Sequence, residues 1–538
     1  MPRDIATMTR KMFLRRHTVI FLAVMFSNSL LADNVPEWRP KEVWHGFNLL
    51  GLFRWQDDPR PGRKRDPRSP GYFREEQFQW IAEWGFNFVR LPMDYRNWIK
   101  PGNWLAIDEK YVREIDKAIT YGRKYGVHVQ LCFHRAPGFT ILSSDPEEVK
   151  LAENDDALRA FVLQWAYFAR RYRDISNECL SFNLFNEPTG FTDERYAEIA
   201  CKLIEAIRKE DPKRFIVADG NFTASRPVRQ LYSFPGVGQS MRGYEPHALS
   251  HHLSAAMPSA VPPVWPIPAD AVASGYLGGL LEEERGRTIV IEKAPAGDWK
   301  VWFALALRGT RIRISADGKS VCEHTFDGCV SDTNHWFKVW ADGPDGHGNG
   351  TPKYPLEFSL PSACRELAID VVSEHGGARL MRVDVSDGKR TETMGVWTNG
   401  AFHRHYRQRF CGFGSKRSFR AVEDEPSVGR FATPGMDALA RYNYGFWDEP
   451  MKAGVFVMCG EFGSNSKCPH DVALRWIEDN LRCFEEKGWG WALWNLDGNF
   501  GIIDSGRTDV ALEEFHGHKL DRKMLELLRR YAKRGGGE

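Results

Sequence analysis

The segment EKYVREIDKAITYGRKYGVHVQLCF, residues 109–133, holds a helix and a strand with almost nothing between them. Glu109 to Tyr125 carries apolar side chains at helical spacing, and Val127 to Phe133 is a short strand-like run. The alternation extends outward from there. Phe86-Asn87-Phe88-Val89-Arg90-Leu91 reads as the preceding strand. Helix Asp156 to Tyr172, strand Leu180 to Phe185, helix Glu194 to Lys209 and strand Phe215 to Ala218 follow. Strands alternating with amphipathic helices are built from βα units around a parallel sheet.

The rhythm stops between about 266 and 430. Thr288 to Glu292, Trp299 to Leu307, Arg311 to Ser315, Leu367 to Val372 and Leu380 to Val385 read as strands there. Asp317-Gly318, Asp327-Gly328, Gly376-Gly377 and Asp387-Gly388 read as turns between them. The βα pattern then returns, with a helix near Asp437 to Tyr444, strand Val455 to Cys459, helix Asp471 to Lys487 and strand Gly490 to Trp494. A last amphipathic helix spans Asp521 to Lys533. The expected fold is α/β: a (β/α)8 TIM barrel with an inserted all-β sandwich of jelly-roll type. Barrel strands one to six fall in 38–265, the insertion in 266–430, and strands seven and eight in 431–535. The two barrel pieces total roughly 330 residues, within the range for this fold with long loops.

Composition narrows the function classes. The chain has 538 residues, 73 basic against 71 acidic side chains and a net charge of +2, so nothing points to a nucleic-acid partner. Arg3, Arg10, Lys11, Arg15 and Arg16 precede an apolar run from Thr18 to Phe26, with small and apolar residues up to Ala32. That is the layout of an export signal over 1–32, and its apolar run is too short for a stable membrane span. The mature protein is expected to be secreted, extracellular or periplasmic, and monomeric. Ten cysteines include no CxxC pair, which argues against a zinc ribbon. Cys322 and Cys329 are placed to close a hairpin, whereas Cys132 and Cys459 sit in apolar runs as buried thiols.

Two carboxylates stand out because each closes a strand: Glu187 in Phe182-Asn183-Leu184-Phe185-Asn186-Glu187-Pro188, and Glu461 in Val455-Phe456-Val457-Met458-Cys459-Gly460-Glu461-Phe462-Gly463. A charged residue just after a barrel strand points out at the carboxyl face, where loops from several strands converge. Cleaving a glycosidic bond takes two carboxyl groups, one ionised toward the anomeric carbon and one holding a proton for the leaving oxygen.

The motifs resemble glycoside hydrolase family 5, the cellulase-like retaining enzymes, over most of residues 44 to 530. His45-Gly46-Phe47-Asn48-Leu49 is similar to the opening strand. Phe88-Val89-Arg90-Leu91-Pro92 resembles the second, and Phe133-His134-Arg135-Ala136-Pro137-Gly138 the third. Asn186-Glu187-Pro188, Tyr244-Glu245-Pro246, Gly460-Glu461-Phe462-Gly463 and Trp491-Ala492-Leu493-Trp494-Asn495 resemble the fourth, sixth, seventh and eighth. The resemblance implies Glu187 as acid/base and Glu461 as nucleophile, with Arg90 supporting Glu461 and Tyr244 hydrogen-bonded to it. It also implies that Asn186 reaches a sugar hydroxyl, His134 lines the sugar site and Trp494 forms its floor. One position departs: where the family often has a His, two residues before Tyr244, this chain has Arg242. Either the register slips toward His247, His251 and His252, with His251 taken into the substrate-binding set, or Arg242 faces the site.

The residues themselves support these roles. Arg90 is always charged and favours an ionised carboxylate beside it, whereas Glu187 needs burial or a negative neighbour to keep a proton. Adjacent His251 and His252 with no carboxylate cluster do not make a metal site, and no metal or cofactor is assigned. Trp299, Trp302, Trp336 and Trp340 of the insertion either stack on sugar or fill a sandwich core. The expected activity is hydrolysis of β-linked glucans by double displacement, on an oligo- or polysaccharide substrate. An exo-acting β-glucosidase, a β-mannanase and a catalytically dead carbohydrate-binding protein are the alternatives.

Overall fold

Eight parallel strands close into a barrel in the computed structural model. It describes residues 40–62, 66–142, 145–254 and most of 263–534, with breaks at 264, 308, 353 and 374–375 and within 267–287, 327–348 and 398–438. The leader over 1–32, Cys329, Trp340, the Trp336 side chain and the Asp327-Gly328 turn lie outside the described residues. The strands are β1 (His45–Asn48), β2 (Phe88–Asp94), β3 (His128–Ala136), β4 (Leu180–Asn183), β5 (Ile216–Asp219), β6 (Val237–Gly243), β7 (Val457–Phe462) and β8 (Gly490–Leu493). Each pairs in parallel with the next, and β8 pairs with β1. Every residue of these strands is buried, which is why several of them read as short apolar runs and not as alternating ones, whereas β1 (HGFN) and β6 (VGQSMRG) carry too many polar and Gly residues to do so.

Helices α1 (Glu75–Glu83), α2 (Glu109–Tyr125), α3 (Asp155–Tyr172), α4 (Asp193–Glu210) and α5 (His470–Lys487) join strands, and α6 (Arg522–Arg534) follows β8. Local chemistry sets their ends. Asp108, Asn154 and Thr192 accept backbone N–H groups of the first turns of α2, α3 and α4. Gly126 stops α2 with φ of 68°, a left-handed conformation that costs glycine little, and the chain enters β3 directly.

The barrel interior changes character along the strand direction. At its amino-terminal end Trp44, Phe88, Phe215, Val217, Met458 and Ala492 form an apolar plug, with Trp44 stacked on His128. Two residues further along, the inward positions become polar: Phe88 gives way to Arg90 and Val217 to Asp219. Side chains two apart on a strand share a face, so a polar layer sits directly above the apolar plug.

Between β6 and β7 lie two further sheets. Thr288–Ala294, Thr310–Ala316, Lys319–Phe326 and Cys364–Val371 belong to one; Gly297–Leu307, Leu356–Leu360, Gly376–Ser386 and Thr391–Trp397 belong to the other. Ile291, Ile314 and Ile369 from the first meet Trp299, Phe303 and Val383 from the second in one core, the packing of a sandwich. Trp299 is buried in that core and not displayed, and the Trp302 indole donates to Asp384.

Several expectations shift. Gly376-Gly377 is not a turn: it begins a strand whose ladder pairs Gly377 with Gly278 and Gly376 with Gly279. A partner strand distant in sequence satisfies the backbone there, and local turn propensity cannot register that. Of the helix expected over 437–444, residues 437 and 438 lie outside the described residues; Ala440–Tyr444 is a π-helical turn, followed by a 3-10 turn and a short α-helix at Asp448–Lys452. β3 continues to Ala136, β7 runs to Phe462, and β5 includes Asp219. Cys322 is a free thiol, while Cys132 and Cys459 are buried, Cys132 being pushed up to about 12 by burial. Among the described residues, no helix is long and apolar enough to cross a membrane.

Candidate active site

Glu461 is aimed by an irregularity in its strand. The pairing of β7 with β6 passes from Cys459↔Met241 to Glu461↔Arg242, a bulge centred on Gly460. A bulge re-aims the side chains beyond it. A Cβ on Gly460 would lie 2.4 Å from Ser240 Oγ and 3.0 Å from Arg242 Nη1, so any side chain there displaces those groups. The Glu461 carboxylate is then held from two sides. Arg90 Nη1 donates to Oε1 at 2.5 Å and Tyr244 Oη donates to Oε2 at 3.0 Å. Arg90 is fully buried, and Asn48 and Asn183 accept its other N–H groups at 3.0 and 2.9 Å.

Glu187 stands across from it, just beyond the end of β4. Its φ is 48°, a left-handed conformation strained for a side-chain-bearing residue. Tertiary contacts hold it: its backbone N–H donates to Asp219 Oδ2 at 2.9 Å, and the preceding Asn186 N–H donates to the Phe133 carbonyl at 3.0 Å. Burial, then the charge of Glu461, pushes the Glu187 carboxyl up to about 7, with Arg242 pulling the other way. Some 16% of its side chain still reaches solvent, so a substrate can touch it.

Asn186 is fully buried with its amide orientation fixed. Its Oδ1 accepts from Arg90 Nη2 and Arg242 Nη2, both at 2.8 Å, so its Nδ2 must face outward, toward Glu187 Oε2 at 3.3 Å. Trp494, half-buried, stacks on His134 with ring centroids 5.6 Å apart and meets Phe53 edge-on. Burial, with the Arg90 and Arg242 guanidinium groups nearby, keeps the His134 imidazole well below its ordinary range and hence neutral. His251 is one step removed: its ring meets the edge of Tyr244 at 5.0 Å and stacks on His247 at 4.8 Å. Burial and His247 push it down to about 3. Among the described residues no cluster of His, Cys, Asp and Glu is arranged to hold a metal ion.

Residues 69–255, which contribute Arg90, His134, Asn186, Glu187 and Tyr244, match the cellulase family, glycosyl hydrolase family 5. Over this segment the chain is similar to the family 5 glycosyl hydrolases. The chain is 30% identical to cellodextrinase A of Ruminococcus flavefaciens over 42% of its own length and 65% of the relative's. It is 30% identical to endoglucanase C of Acetivibrio thermocellus over 28% of its length and 43% of the relative's. The chain thus spans less than two thirds of either relative. A solved glycoside hydrolase structure superposes with a TM-score of 0.55 at 25% identity, covering 91% of this chain and 99% of that one.

Within this site, the two readings left open for Arg242 are separated. Arg242 faces the carboxylates, with Nε 3.2 Å from Glu187 Oε1 and Nη2 3.4 Å from Glu461 Oε1. Sequence reading missed Asp219, which is fully buried and accepts from Arg242, from Asn183 at 3.0 Å and from the Glu187 backbone. The signal was available: Asp219 closes its strand as Glu187 and Glu461 close theirs. Asn48 and Asn183, the supports of Arg90, gave no comparable signal.

Proposed function

We propose that the protein hydrolyses β-linked glucans as a retaining glycosidase, with Glu461 as nucleophile and Glu187 as acid and then base. The observation that carries this is the unequal setting of the two carboxyls. Glu461 accepts from a buried Arg and a Tyr, which suits an anion that attacks, while burial and the Glu461 charge raise Glu187 to about 7, which suits a proton donor at neutral pH. A glucan seated on Trp494 has its scissile bond between them. Glu461 attacks the anomeric carbon as Glu187 gives its proton to the departing oxygen, leaving a glycosyl ester on Glu461. Glu187, now ionised, takes a proton from water; the water oxygen attacks the same carbon and Glu461 is released. The Asn186 amide, facing outward, is placed to meet a hydroxyl of the sugar. Glucan oligomers and polymers are the proposed substrates, in line with relatives named a cellodextrinase and an endoglucanase.

Proton NMR of cellodextrin hydrolysis tests the reading. The first-formed product is expected to be the β-anomer; first-formed α-anomer, or no hydrolysis by a folded protein, overturns it. We also propose that residues 1–32 direct export, which amino-terminal sequencing of protein recovered outside the cytoplasm would check.

A further inference from the structure

Arg242 places a buried cation against the group that has to carry a proton, which is the wrong charge in the wrong place unless something offsets it. Its Nη2 donates to Asp219 Oδ2 and to Asn186 Oδ1 at 2.8 Å, and Nη1 donates to Ser240 Oγ and the Met241 carbonyl, both at 3.1 Å. Nε lies 3.2 Å from Glu187 Oε1 yet has no acceptor in hydrogen-bonding geometry. The guanidinium is therefore close to Glu187 while its hydrogen bonds are committed elsewhere.

We infer that Asp219 and Arg242 act as one charge-neutral pair, and that Asp219 is the positioning residue that keeps a guanidinium beside Glu187 without taking the proton from it. This rests on Glu187 being the acid. The charges facing Glu187 are Arg242 from β6, Arg90 from β2, Asp219 from β5 and Glu461 from β7, with Tyr244 as a further titratable neighbour; His134, Cys132 and Cys459 lie near the arginines of the same cluster. Two cations meet two anions, so the cluster balances with Glu187 neutral. The directions agree: Asp219 and Glu461 raise the Glu187 carboxyl, whereas Arg242 and Arg90 lower it. Asp219 also holds the strained Glu187 backbone in place through the N–H at 2.9 Å, so one carboxylate sets both the position and the charge of the acid. The balance changes during turnover. When Glu461 becomes an ester its negative charge is lost, one positive charge is left over, and Glu187 is favoured as the anion that deprotonates water.

The test is kcat/KM against pH, on an aryl β-glycoside with a poor leaving group, for wild type, Asp219→Asn, Arg242→Gln and the double variant. Asp219→Asn leaves an excess cation and is expected to move the alkaline limb down by about one pH unit, about a tenfold loss above the limb. Arg242→Gln leaves an excess anion and is expected to move it up by about as much. The double variant is expected to return the limb close to wild type, and Arg242→Lys, which keeps the charge, to leave it there. Limbs that move in the same direction, or activity that falls with the limbs fixed, overturn the pairing. If Asp219→Asn does not fold, the sign of the Arg242→Gln shift decides. A second readout needs no turnover: the carboxylic C=O band of Glu187 in resting protein, assigned by difference infrared spectra against Glu187→Gln and followed with pH. If no β-glycoside is cleaved but the band shifts with these signs, the proposed activity fails and the pairing stands. If wild type turns over but neither limb nor band responds, the pairing fails and the activity stands.

Discussion

Arg90 Nη1 lies 2.5 Å from Glu461 Oε1, although the two residues are 371 positions apart and both are buried. The guanidinium also stands 3.9 Å from Asp219 and donates to Asn48, Asn183 and Asn186. A planar donor that serves residues from four strands, β1, β4, β5 and β7, fixes the upper barrel as well as the charge of Glu461.

Arg90→Met leaves Glu461 and Asp219 buried with one cation fewer. Breaking a buried pair from one side typically costs about 3–5 kcal/mol, so unfolding by denaturant is expected to show a loss of that order. Activity is expected to fall by about two orders of magnitude or more as the nucleophile loses its principal donor. Unchanged stability would mean that Arg90 is not a strut of the barrel.

The Glu187 carboxyl sits near 7 and must be protonated to assist departure of the leaving group. The sign follows directly: the acid is intact below its pKa and is lost as pH rises through it. With a poor leaving group, kcat/KM is expected to fall about tenfold per pH unit above about 7. With dinitrophenyl glycosides, which leave without help, the limb is expected to fade. An identical limb for both substrates would assign it to another group.

The two carboxyls are expected to respond differently to azide. In Glu187→Ala, an activated aryl glycoside still forms the ester, and azide, which needs no general base, attacks it to give the β-glycosyl azide. In Glu461→Ala no ester forms, and azide entering from the vacated side gives the α-glycosyl azide. Product NMR decides between them, and reversed products would exchange the two roles.

Gly460→Ala tests the bulge. The added Cβ would fall 2.4 Å from Ser240 Oγ and 3.0 Å from Arg242 Nη1, so the Ser240 hydroxyl must move and, with it, the guanidinium that donates to it. Misplacement of about 1 Å near reacting groups can cost about 100-fold in rate, and a drop of that size is expected with the barrel still folded by circular dichroism. Near-wild-type kinetics would show that the strand gives way without disturbing Glu461.

Trp299 tests the sheets between β6 and β7. It is buried between them and stacks on Phe358 with centroids 6.0 Å apart. Trp299→Ala is expected to destabilise that core by about 3–5 kcal/mol, read as an earlier unfolding transition in calorimetry. Kinetics on small aryl glycosides are expected to be unchanged, and a loss there would tie this core to the catalytic site.

Much of this protein was written locally along the chain. The helix over Glu109–Tyr125 and the strand after it are marked by apolar spacing, and α3, α4 and α5 differ from their sequence-read bounds by one residue at most at each end. Glu187 and Glu461 were visible because a carboxylate at the end of a buried run marks the carboxyl end of a barrel strand, where sites are built. Such features depend on neighbours within one helical turn or two strand positions, and sequence order keeps those neighbours together. What lay outside its reach was pairing across the barrel. Gly376 reads as a turn until Gly279 is opposite it, and Arg242 reads as a misfit until Asp219 is beside it, 23 residues away. Only the closed barrel brings Asn48, Arg90, Asn183, Asp219, Arg242 and Glu461 into one layer, with the space left open by Gly460. Whether a buried cation helps or harms the acid depends on the sum of charges in that layer, a property of distances through space that no stretch of the chain contains.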